Sequence, residues 1–443
     1  MTTNGSQTPR ILILGGGYVG LYTALQLRKS LGRHATIAIV DPRAYMTYQP
    51  FLPEAAAGSL EPRHVVAGLR STLPGVMIIP GRIAGLDHAA RRAQISPLVG
   101  PDYSVRYDHV VVALGSVART LPIPGLAEEG IGFKQIEEAI DLRNRVIGMM
   151  ESAAGVWDKE QRRRMLTFTF VGGGFAGIEA LGEIEDMARA ETKNFDSIRR
   201  EDLRFVLVEA TGKILPEVGE ELGRYALEQL RARDIEVKLD TKLESVVGGL
   251  IETSDGDKFE SETLVWTAGV KANPALGKMG LPRDEKGRLR ANEYLQVVDE
   301  EGRPIPGAWT AGDVAAVPDL LNPGQFCGPT AQHAVRQARQ LGKNLAAVLE
   351  GEPIAAYRHK NMGTVASLGL YKGVATVFGL KLRGPLAWFM HRTYHMWAMP
   401  TVNRKIHVIL DWTMSLLFRR QTVALGALKT PREEFQKVAS SKD

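Results

Sequence analysis

The residues 11–20, ILILGGGYVG, constrain the fold of this chain more than any other stretch. The four apolar residues at its start predict a strand that is buried on both faces. Three glycines follow at the GxGxxG spacing: Gly15, Gly17 and Gly20. They allow a tight turn, a close approach of the backbone to a pyrophosphate, and close packing of the next helix on the strand. A second apolar run, 36–40, ends in Asp41, whose carboxylate can accept hydrogen bonds from a ribose. The stretch therefore predicts a dinucleotide-binding βαβ unit.

The same glycine pattern returns later in the chain, after the predicted strand at 166–171. Its glycines are Gly172, Gly174 and Gly177. A further predicted strand, 203–208, ends in Glu209, which favours a free ribose 2′-hydroxyl and repels a 2′-phosphate. The second site is therefore expected to prefer NADH over NADPH. The duplication predicts an α/β protein with two Rossmann-like dinucleotide-binding domains, the second inserted in the first.

Two further strand ends favour FAD as the ligand of the first site. The run HVVVAL, 109–114, predicts a buried strand that closes on Gly115, where the backbone can contact a cofactor. Another predicted strand ends in Ala311, Gly312 and Asp313. Asp313 can accept hydrogen bonds from a sugar-alcohol chain, and the ribityl arm of FAD is such a chain.

Two helices carry candidate reactive side chains. Glu179 lies in the first turn of the helix that follows the second fingerprint, where it faces the bound nucleotide, whereas Glu183 on the same face is interpreted as a solvated residue. A helix over 328–349 could direct its positive N-terminal end at a reduced flavin. His333 near its start and the neighbouring Cys327 are interpreted as packing residues rather than as an acid or base and a nucleophile.

The chain length of 443 residues predicts several domains. We predict four segments: 1–120, the first part of the FAD-binding domain; 121–264, the NADH-binding domain; 265–378, the second part of the FAD-binding domain; and 379–443, a membrane-association region. Cys327 is the only cysteine, so no internal disulfide is possible and exposure to the cytosol is expected.

The tail over 382–420 combines apolar, aromatic and basic residues and includes three of the six tryptophans. Six of its residues fall on one helical face: Ile406, Ile409, Leu410, Thr413, Leu416 and Leu417. No apolar run is long enough to span a bilayer. The pattern favours amphipathic helices that lie in the interface of an anionic membrane. A homodimer contact or a core-covering tail is the alternative. The basic residues are too sparse for a nucleic-acid groove.

These motifs resemble those of type II NADH dehydrogenases, the monotopic NADH:quinone oxidoreductases among the flavoproteins with two dinucleotide-binding domains. The resemblance covers about residues 10–420. It is carried by YQPFLPEAAAG (48–58), VALGS (112–116), GGGFAGIE (172–179), WTAGVKAN (266–273), TAGD (310–313), AQHAVRQA (331–338), KLRGPLAW (381–388) and Asn403-Arg404. It implies non-covalent FAD at the first site, NADH at the second, and a quinone reached from the cytoplasmic face of the membrane.

The resemblance also implies roles for three candidate catalytic residues. Glu179 would lie by the nicotinamide and flavin rings, and Gln332 matches the first glutamine of a family motif at the quinone end of the flavin. Arg336 stands where the second glutamine usually is, so the acceptor site departs from the family pattern. Sulfide:quinone reductases share the fold but need at least a cysteine pair, which Cys327 alone cannot supply.

The expected reaction is transfer of a hydride from NADH to FAD and then of two electrons to a membrane quinone, without proton pumping. No metal is expected. The sequence leaves two alternatives open: a soluble NADH:acceptor reductase of the same fold, and a non-catalytic flavoprotein that senses NADH.

Overall fold

A computed structural model describes residues 8–360, 363–418, 422–424, 432, 436 and 439–440. The chain forms two compact units from non-contiguous segments. The first contains Met1–Tyr48, Val66–Arg119 and Val270–Asn361, and the second contains Gln49–Val65, Thr120–Gly269 and Met362–Asp443. Gln49–Val65 lie inside the segment predicted as the first part of the FAD-binding domain but cluster with the second unit. The predicted domain limits themselves remain predictions.

The first unit is built mainly of strands. Numbered along the chain, its elements are β1 (Arg10–Leu14), α1 (Tyr18–Leu31), β2 (Thr36–Asp41), β3 (Tyr45–Thr47), β4 (Val66–Gly68), α3 (Leu69–Thr72), β5 (Met77–Asp87), β6 (Arg92–Pro97), β7 (Tyr103–Arg106), β8 (His109–Val112), β9 (Ser116–Ala118), β18 (Val270–Ala272), β19 (Leu289–Arg290), β20 (Gln296–Val298), β21 (Pro304–Thr310), β22 (Ala315–Ala316) and α9 (Ala331–Glu350).

The main sheet of this unit has the strand order β20-β21-β8-β1-β2-β5-β6-β7. Strands β21, β8, β1, β2 and the start of β5 are parallel, and β1 is buried along nearly its whole length because it lies between β2 and β8. Helices α1 and α9 pack closely, since Thr23 Oγ1 donates a hydrogen bond to the carbonyl of Ala338 at 3.2 Å. This arrangement brings the carboxyl ends of the parallel strands to one edge of the sheet.

Two local sequence patterns in this part of the chain predict something different from what the structure has. The apolar residues at 76–79 and 82–86 each predict a short strand, but the structure has the single strand β5, which changes partner from β2 to β6 at Pro80 and Gly81. The prolines and glycines of the stretch 46–66 predict a structured loop rather than regular secondary structure. This stretch contains 3-10 turns at Gln49–Phe51 and Pro62–Val65 and a short helix, because proline is tolerated in the first turn of a helix.

The second unit contains a parallel sheet and the C-terminal helices. Its elements are α2 (Leu52–Ala56), α4 (Leu126–Glu129), β10 (Gly130–Gly132), α5 (Ile136–Ala154), α6 (Lys159–Met165), β11 (Thr167–Val171), α7 (Phe175–Glu191), β12 (Arg204–Val208), α8 (Glu220–Arg231), β13 (Ile235–Lys238), β14 (Leu243–Ser245), β15 (Leu250–Thr253), β16 (Lys258–Glu260), β17 (Thr263–Trp266), β23 (Gly363–Ser367), β24 (Gly373–Val377), β25 (Leu380–Arg383), α10 (Gly384–Ala398) and α11 (Val402–Leu417).

The parallel sheet of the second unit has the order β10-β17-β11-β12-β13, and β11 is buried at every residue. Two antiparallel sheets, β14-β15-β16 and β23-β24-β25, accompany it. Both units thus contain the parallel sheet and the strand, glycine turn and helix of a dinucleotide-binding fold. The predicted α/β class is confirmed.

The C-terminal helix α11 exposes the face that the sequence pattern predicts to be apolar. Its exposed apolar side chains are Val402, Ile406, Ile409, Leu410, Met414, Leu416 and Leu417, whereas Val408 is buried. Arg419 and Arg420, the end of the predicted tail stretch, lie outside the described residues. Among the residues that the structure describes, no helix combines the length and apolar character that a membrane crossing requires.

We predict that Gly20→Ala and Gly177→Ala each destabilise the protein. An alanine Cβ at Gly20 would lie 1.9 Å from the carbonyl oxygen of Gly15, and one at Gly177 would lie 2.0 Å from that of Gly172, so the turn or the helix must shift. Overpacking of this kind costs about 1–3 kcal/mol, measurable as a fall in Tm.

The matched controls are Gly17→Ala and Gly174→Ala, because a Cβ at either position would have no described heavy atom within 4 Å. Their Tm in the absence of nucleotides should stay near that of the original protein. Equal Tm values for all four variants would contradict the prediction.

Candidate functional site

The first glycine turn is closed by the predicted ribose-binding carboxylate. Asp41 accepts one hydrogen bond from the backbone N–H of Gly16 and one from that of Arg43, both at 2.7 Å. Gly15 has a φ of +109°, and a Cβ there would lie 2.4 Å from the carbonyl oxygen of Ala113 at the end of β8. Only glycine fits this close approach between the turn and the neighbouring strand end. The turn after β1 is thus held in one shape by its neighbours.

The ends of β8 and β21 meet beside α9 in the same unit. Ser116 Oγ donates a short hydrogen bond to the Asp313 carboxylate, and the backbone N–H of Gly312 donates to Gln337 Oε1 of α9 at 2.7 Å. The predicted positions Gly115, Ala311, Gly312 and Asp313 are therefore brought together by the parallel order of the strands. Their cofactor contacts remain a proposal.

The second glycine turn repeats the geometry of the first. Glu209 accepts a hydrogen bond from the backbone N–H of Gly173 at 2.5 Å, and its other oxygen accepts from the backbone and hydroxyl of Thr211 at 2.8 and 2.7 Å. Gly172 has a φ of +112°, close to that of Gly15. The duplication inferred from the sequence is therefore also a duplication of turn geometry and of its carboxylate partner.

Glu179 lies in α7 and is 7% exposed. Its Oε1 accepts a hydrogen bond from the backbone N–H of Ser367 in β23 and forms an ion pair with His391 Nε2 of α10, both at 3.0 Å. Glu183 is fully buried. Its interpretation as a solvated residue was wrong, because β23 and the turn after it cover this helix: a Cβ at Gly182 would lie 2.5 Å from the backbone of Leu368.

A second buried ion pair lies in the same unit and was not identified from the sequence. Arg392 Nη2 is 3.0 Å from Glu54 Oε2, and the same carboxylate oxygen accepts a hydrogen bond from Trp412 Nε1 at 2.6 Å. The guanidinium carbon of Arg392 lies 4.1 Å from the ring centre of Trp388 and 5.0 Å from that of Trp412. These contacts connect α2, α10 and α11. The available signal was the run of charged and aromatic residues at 388–397, for which the sequence favoured membrane docking and kept a core-covering tail as an alternative.

Two neighbouring histidines of α10 have opposite pKa shifts. Burial disfavours the protonated form of His391, but the carboxylates of Glu179 and Glu54 outweigh that effect and raise its pKa. The ring of His395 lies 4.6 Å from that of His391. Burial, together with the charge of His391, holds the pKa of His395 well below its usual value. The surroundings thus favour the protonated form of His391 and the neutral form of His395.

The start of α9 carries Gln332 and Arg336, and Thr330 caps the helix by accepting a hydrogen bond from the N–H of His333 at 3.2 Å. His333 Nδ1 lies 2.9 Å from the hydroxyl of Tyr357. Burial lowers the pKa of His333. Cys327 is buried, and burial raises the pKa of its thiol to about 11. The thiol is therefore protonated near neutral pH and a poor nucleophile.

The sequence profile of the pyridine nucleotide-disulphide oxidoreductases matches residues 9–338. The chain belongs to this family. Within this pyridine nucleotide-disulphide oxidoreductase chain, Cys327 is the only cysteine, so a redox disulfide cannot form inside the sequence.

Several curated proteins resemble this family member over most of its length. The type II NADH:quinone oxidoreductase Ndh of Mycobacterium tuberculosis is 28% identical over 426 residues, which is 93% of this chain and 89% of that protein. The demethylphylloquinone reductase NdbB of Synechocystis is 28% identical over 91% of this chain and 95% of its own length. The type II NADH:quinone oxidoreductase of Staphylococcus aureus is 27% identical over 86% and 93%. The predicted oxidoreductase class is confirmed.

A solved structure shares the fold of this pyridine nucleotide-disulphide oxidoreductase. NDH2 from Plasmodium falciparum in complex with NADH matches with a TM-score of 0.86 at 18% identity, over 94% of this chain and 100% of that one. The likeness supports the fold assignment.

We predict that Glu209→Gln weakens the preference for NADH over NADPH by about tenfold. The carboxylate repels a 2′-phosphate, and like charges in contact cost several kcal/mol, whereas a neutral amide does not repel it. The measurement is the ratio of the dissociation constants of the two dinucleotides. Glu201→Gln, an exposed carboxylate before β12, is the control and should leave the ratio unchanged. An unaltered ratio in Glu209→Gln would remove this residue from nucleotide selection.

The opposite shifts of His391 and His395 predict opposite pH dependences of stability. The pKa of His391 is raised on folding, so its contribution is fully present below its unfolded pKa near 6.5 and is lost as the pH rises through the raised value. The stability lost in His391→Gln should therefore be greater at pH 5.5 than at pH 8.5. The pKa of His395 is lowered, so protonation of the unfolded chain penalises the fold at low pH. His395→Gln should relieve that penalty, and parallel pH profiles for the two variants would contradict the assignment.

Proposed function

We propose that this chain is an FAD-dependent NADH:quinone oxidoreductase that does not pump protons. Its membership of the pyridine nucleotide-disulphide oxidoreductases and the names of its full-length relatives support the reaction. The observation that carries the proposal is the pair of matching turns, each closed by the carboxylate at the next strand end, Asp41 and Glu209. Two such turns provide one site for FAD and one for NADH.

The residues of the first unit fit FAD. A Cβ at Gly17 would meet no described atom within 4 Å, so the turn leaves room for a pyrophosphate. We assign Gly15, Gly17, Gly20, Asp41, Gly115, Ala311, Gly312 and Asp313 to FAD binding. Asp41 would accept from the ribose and Asp313 from the ribityl chain. Bound FAD supplies the acceptance of a hydride and the release of two electrons to a second substrate.

The residues of the second unit fit NADH. Gly174 leaves the same open space as Gly17, and Glu209 stands where the adenosine ribose would bind. We assign Gly172, Gly174, Gly177 and Glu209 to this dinucleotide. These residues would thus bind and orient the donor. Positioning of this kind supplies much of the rate of hydride transfer.

We propose that Glu179 is a catalytic residue that orients the nicotinamide or relays a proton. Its carboxylate is buried and paired with His391, whose pKa is raised by this carboxylate and that of Glu54, so a protonated imidazole is favoured beside Glu179. Gln332 and Arg336 are assigned to the acceptor site. These residues and FAD account for the reaction without a metal ion.

We further propose that α10 and α11 dock on an anionic membrane surface at its cytoplasmic face, where the protein meets its quinone. Exposed apolar side chains support this docking, among them Leu386, Phe389 and Trp397 of α10 and Ile406 and Leu416 of α11. The basic residues of the tail suit anionic headgroups. Pelleting with anionic and with neutral vesicles tests this surface, and the protein should pellet with the anionic vesicles. A homodimer that persists in detergent and does not bind vesicles would show instead that this surface contacts a second copy of the chain.

The function is tested by anaerobic NADH oxidation with the FAD-loaded protein in detergent, with and without a short-chain quinone. Fast quinone-dependent turnover with NADH preferred over NADPH is the expected result. Rapid flavin reduction that no quinone reverses would favour another acceptor, and a long-lived reduced state with negligible turnover would favour an NADH sensor.

We predict that Glu179→Gln lowers kcat by about 100-fold, the lower end of the usual contribution of a positioned acid or base. The bound FAD content should stay unchanged, because Glu179 is not among the residues assigned to FAD. Glu183→Gln is the matched control, since it removes a buried carboxylate of the same helix one turn later. Turnover in Glu179→Gln equal to that of the control would remove Glu179 from the mechanism.

A further inference from the structure

Arg336 lies one helical turn after Gln332 on the same face of α9 and contacts it. Its Nη1 donates to the backbone carbonyl and to the side-chain Oε1 of Gln332, both at 3.3 Å. Because Oε1 accepts from the guanidinium, the amide is oriented with its oxygen towards Arg336 and its NH2 group away from it. Arg336 therefore contributes to the direction of the amide donor of Gln332.

The charge of Arg336 is not paired with any carboxylate of the residues that the structure describes. In the part of the chain that the structure describes, no carboxylate oxygen lies within 4 Å of its guanidinium, although the side chain is only half-exposed. The neighbouring imidazoles do not share the charge. Burial, with a contribution from Arg336, lowers the pKa of His333 and brings that of His359 to about 4. At neutral pH these two rings are neutral, and the guanidinium supplies the positive charge beside Gln332.

A guanidinium that no described carboxylate neutralises, placed next to an amide, suits an oxygen that carries negative charge. Charge-assisted hydrogen bonds are about twice as strong as neutral ones, and the planar guanidinium can contact two adjacent oxygens at once. A hydroxyl group ionised beside a quinone carbonyl presents such a pair of oxygens before any electron is transferred.

We propose that Arg336 is a specificity-determining residue that makes the acceptor site prefer quinones with an ionised hydroxyl group beside a carbonyl over neutral quinones of the same ring. The proposal rests on the proposed function, since it concerns the acceptor of that reaction. NADH, two protons and the hydroxyquinone anion give NAD+ and the neutral triol: the hydride and one proton reduce the two carbonyl groups to hydroxyls. The ionised oxygen becomes an ordinary phenol once the ring is reduced and takes the second proton at neutral pH.

The test compares 2-hydroxy-1,4-naphthoquinone with 2-methyl-1,4-naphthoquinone as acceptors for the FAD-loaded protein at neutral pH. The quantity is the ratio of their kcat/KM values, measured in the original protein, Arg336→Gln and Arg336→Lys. Dividing each variant's ratio by that of the original protein cancels the different reduction potentials of the two quinones. We expect Arg336→Gln to lower the ratio about tenfold or more, and Arg336→Lys, which keeps the charge but not the planar fork, to lower it less.

Equilibrium dialysis of 2-hydroxy-1,4-naphthoquinone against the oxidised, FAD-loaded protein without NADH gives a second readout. Its affinity should fall in Arg336→Gln and should fall in the original protein when the pH is lowered enough to protonate the hydroxyl group. The proposal is overturned if Arg336→Gln changes both the ratio of kcat/KM values and the affinity for 2-hydroxy-1,4-naphthoquinone by less than twofold. It is also overturned if this variant loses activity equally towards both quinones. If the original protein reduces neither quinone, the proposed function fails instead, and dialysis still tests the anion preference.

Discussion

The hydrogen bond from a glycine N–H to the carboxylate at the end of the next strand is the contact on which both nucleotide folds depend. Asp41 holds Gly16 in one unit and Glu209 holds Gly173 in the other. Each bond joins the turn after the first strand to the end of the second, so the parallel pair and the helix start become one rigid element. A carboxylate in this position also lies where a ribose must bind, and the same side chain thus serves the fold and the ligand.

Charged side chains buried in the second unit impose a different constraint. The pairs Glu54 with Arg392 and Glu179 with His391 lie between helices, where an uncompensated charge would cost several kcal/mol. Removing one partner therefore leaves the other charge buried and uncompensated. The intact pairs specify how α10 is placed against α2 and α7. Trp412 adds α11 to this network through Glu54. The C-terminal helices are consequently fixed by polar contacts on one side while α11 leaves its apolar side exposed.

The divergent pKa values of His391 and His395 connect this network to chemistry. Groups with the same intrinsic pKa that are pushed apart by their surroundings are typical of sites that move protons. The carboxylates of Glu179 and Glu54 outweigh burial and raise the pKa of His391, whereas burial and the charge of His391 lower the pKa of His395. The arrangement places the histidine with the raised pKa next to Glu179, the side chain that we assign to the reaction.

The glycine turns, the carboxylates Asp41 and Glu209, and the presence of the helix α9 could be predicted from the sequence, because each depends on residues that are close along the chain. The apolar face of α11 could be predicted for the same reason, since helical periodicity is local. The sequence alone did not determine that Glu183 is buried, that residues 49–65 cluster with the second unit, or that Glu54 pairs with Arg392. Those features depend on which distant segments cover a given surface, and burial and ion pairing are decided only when the chain is folded.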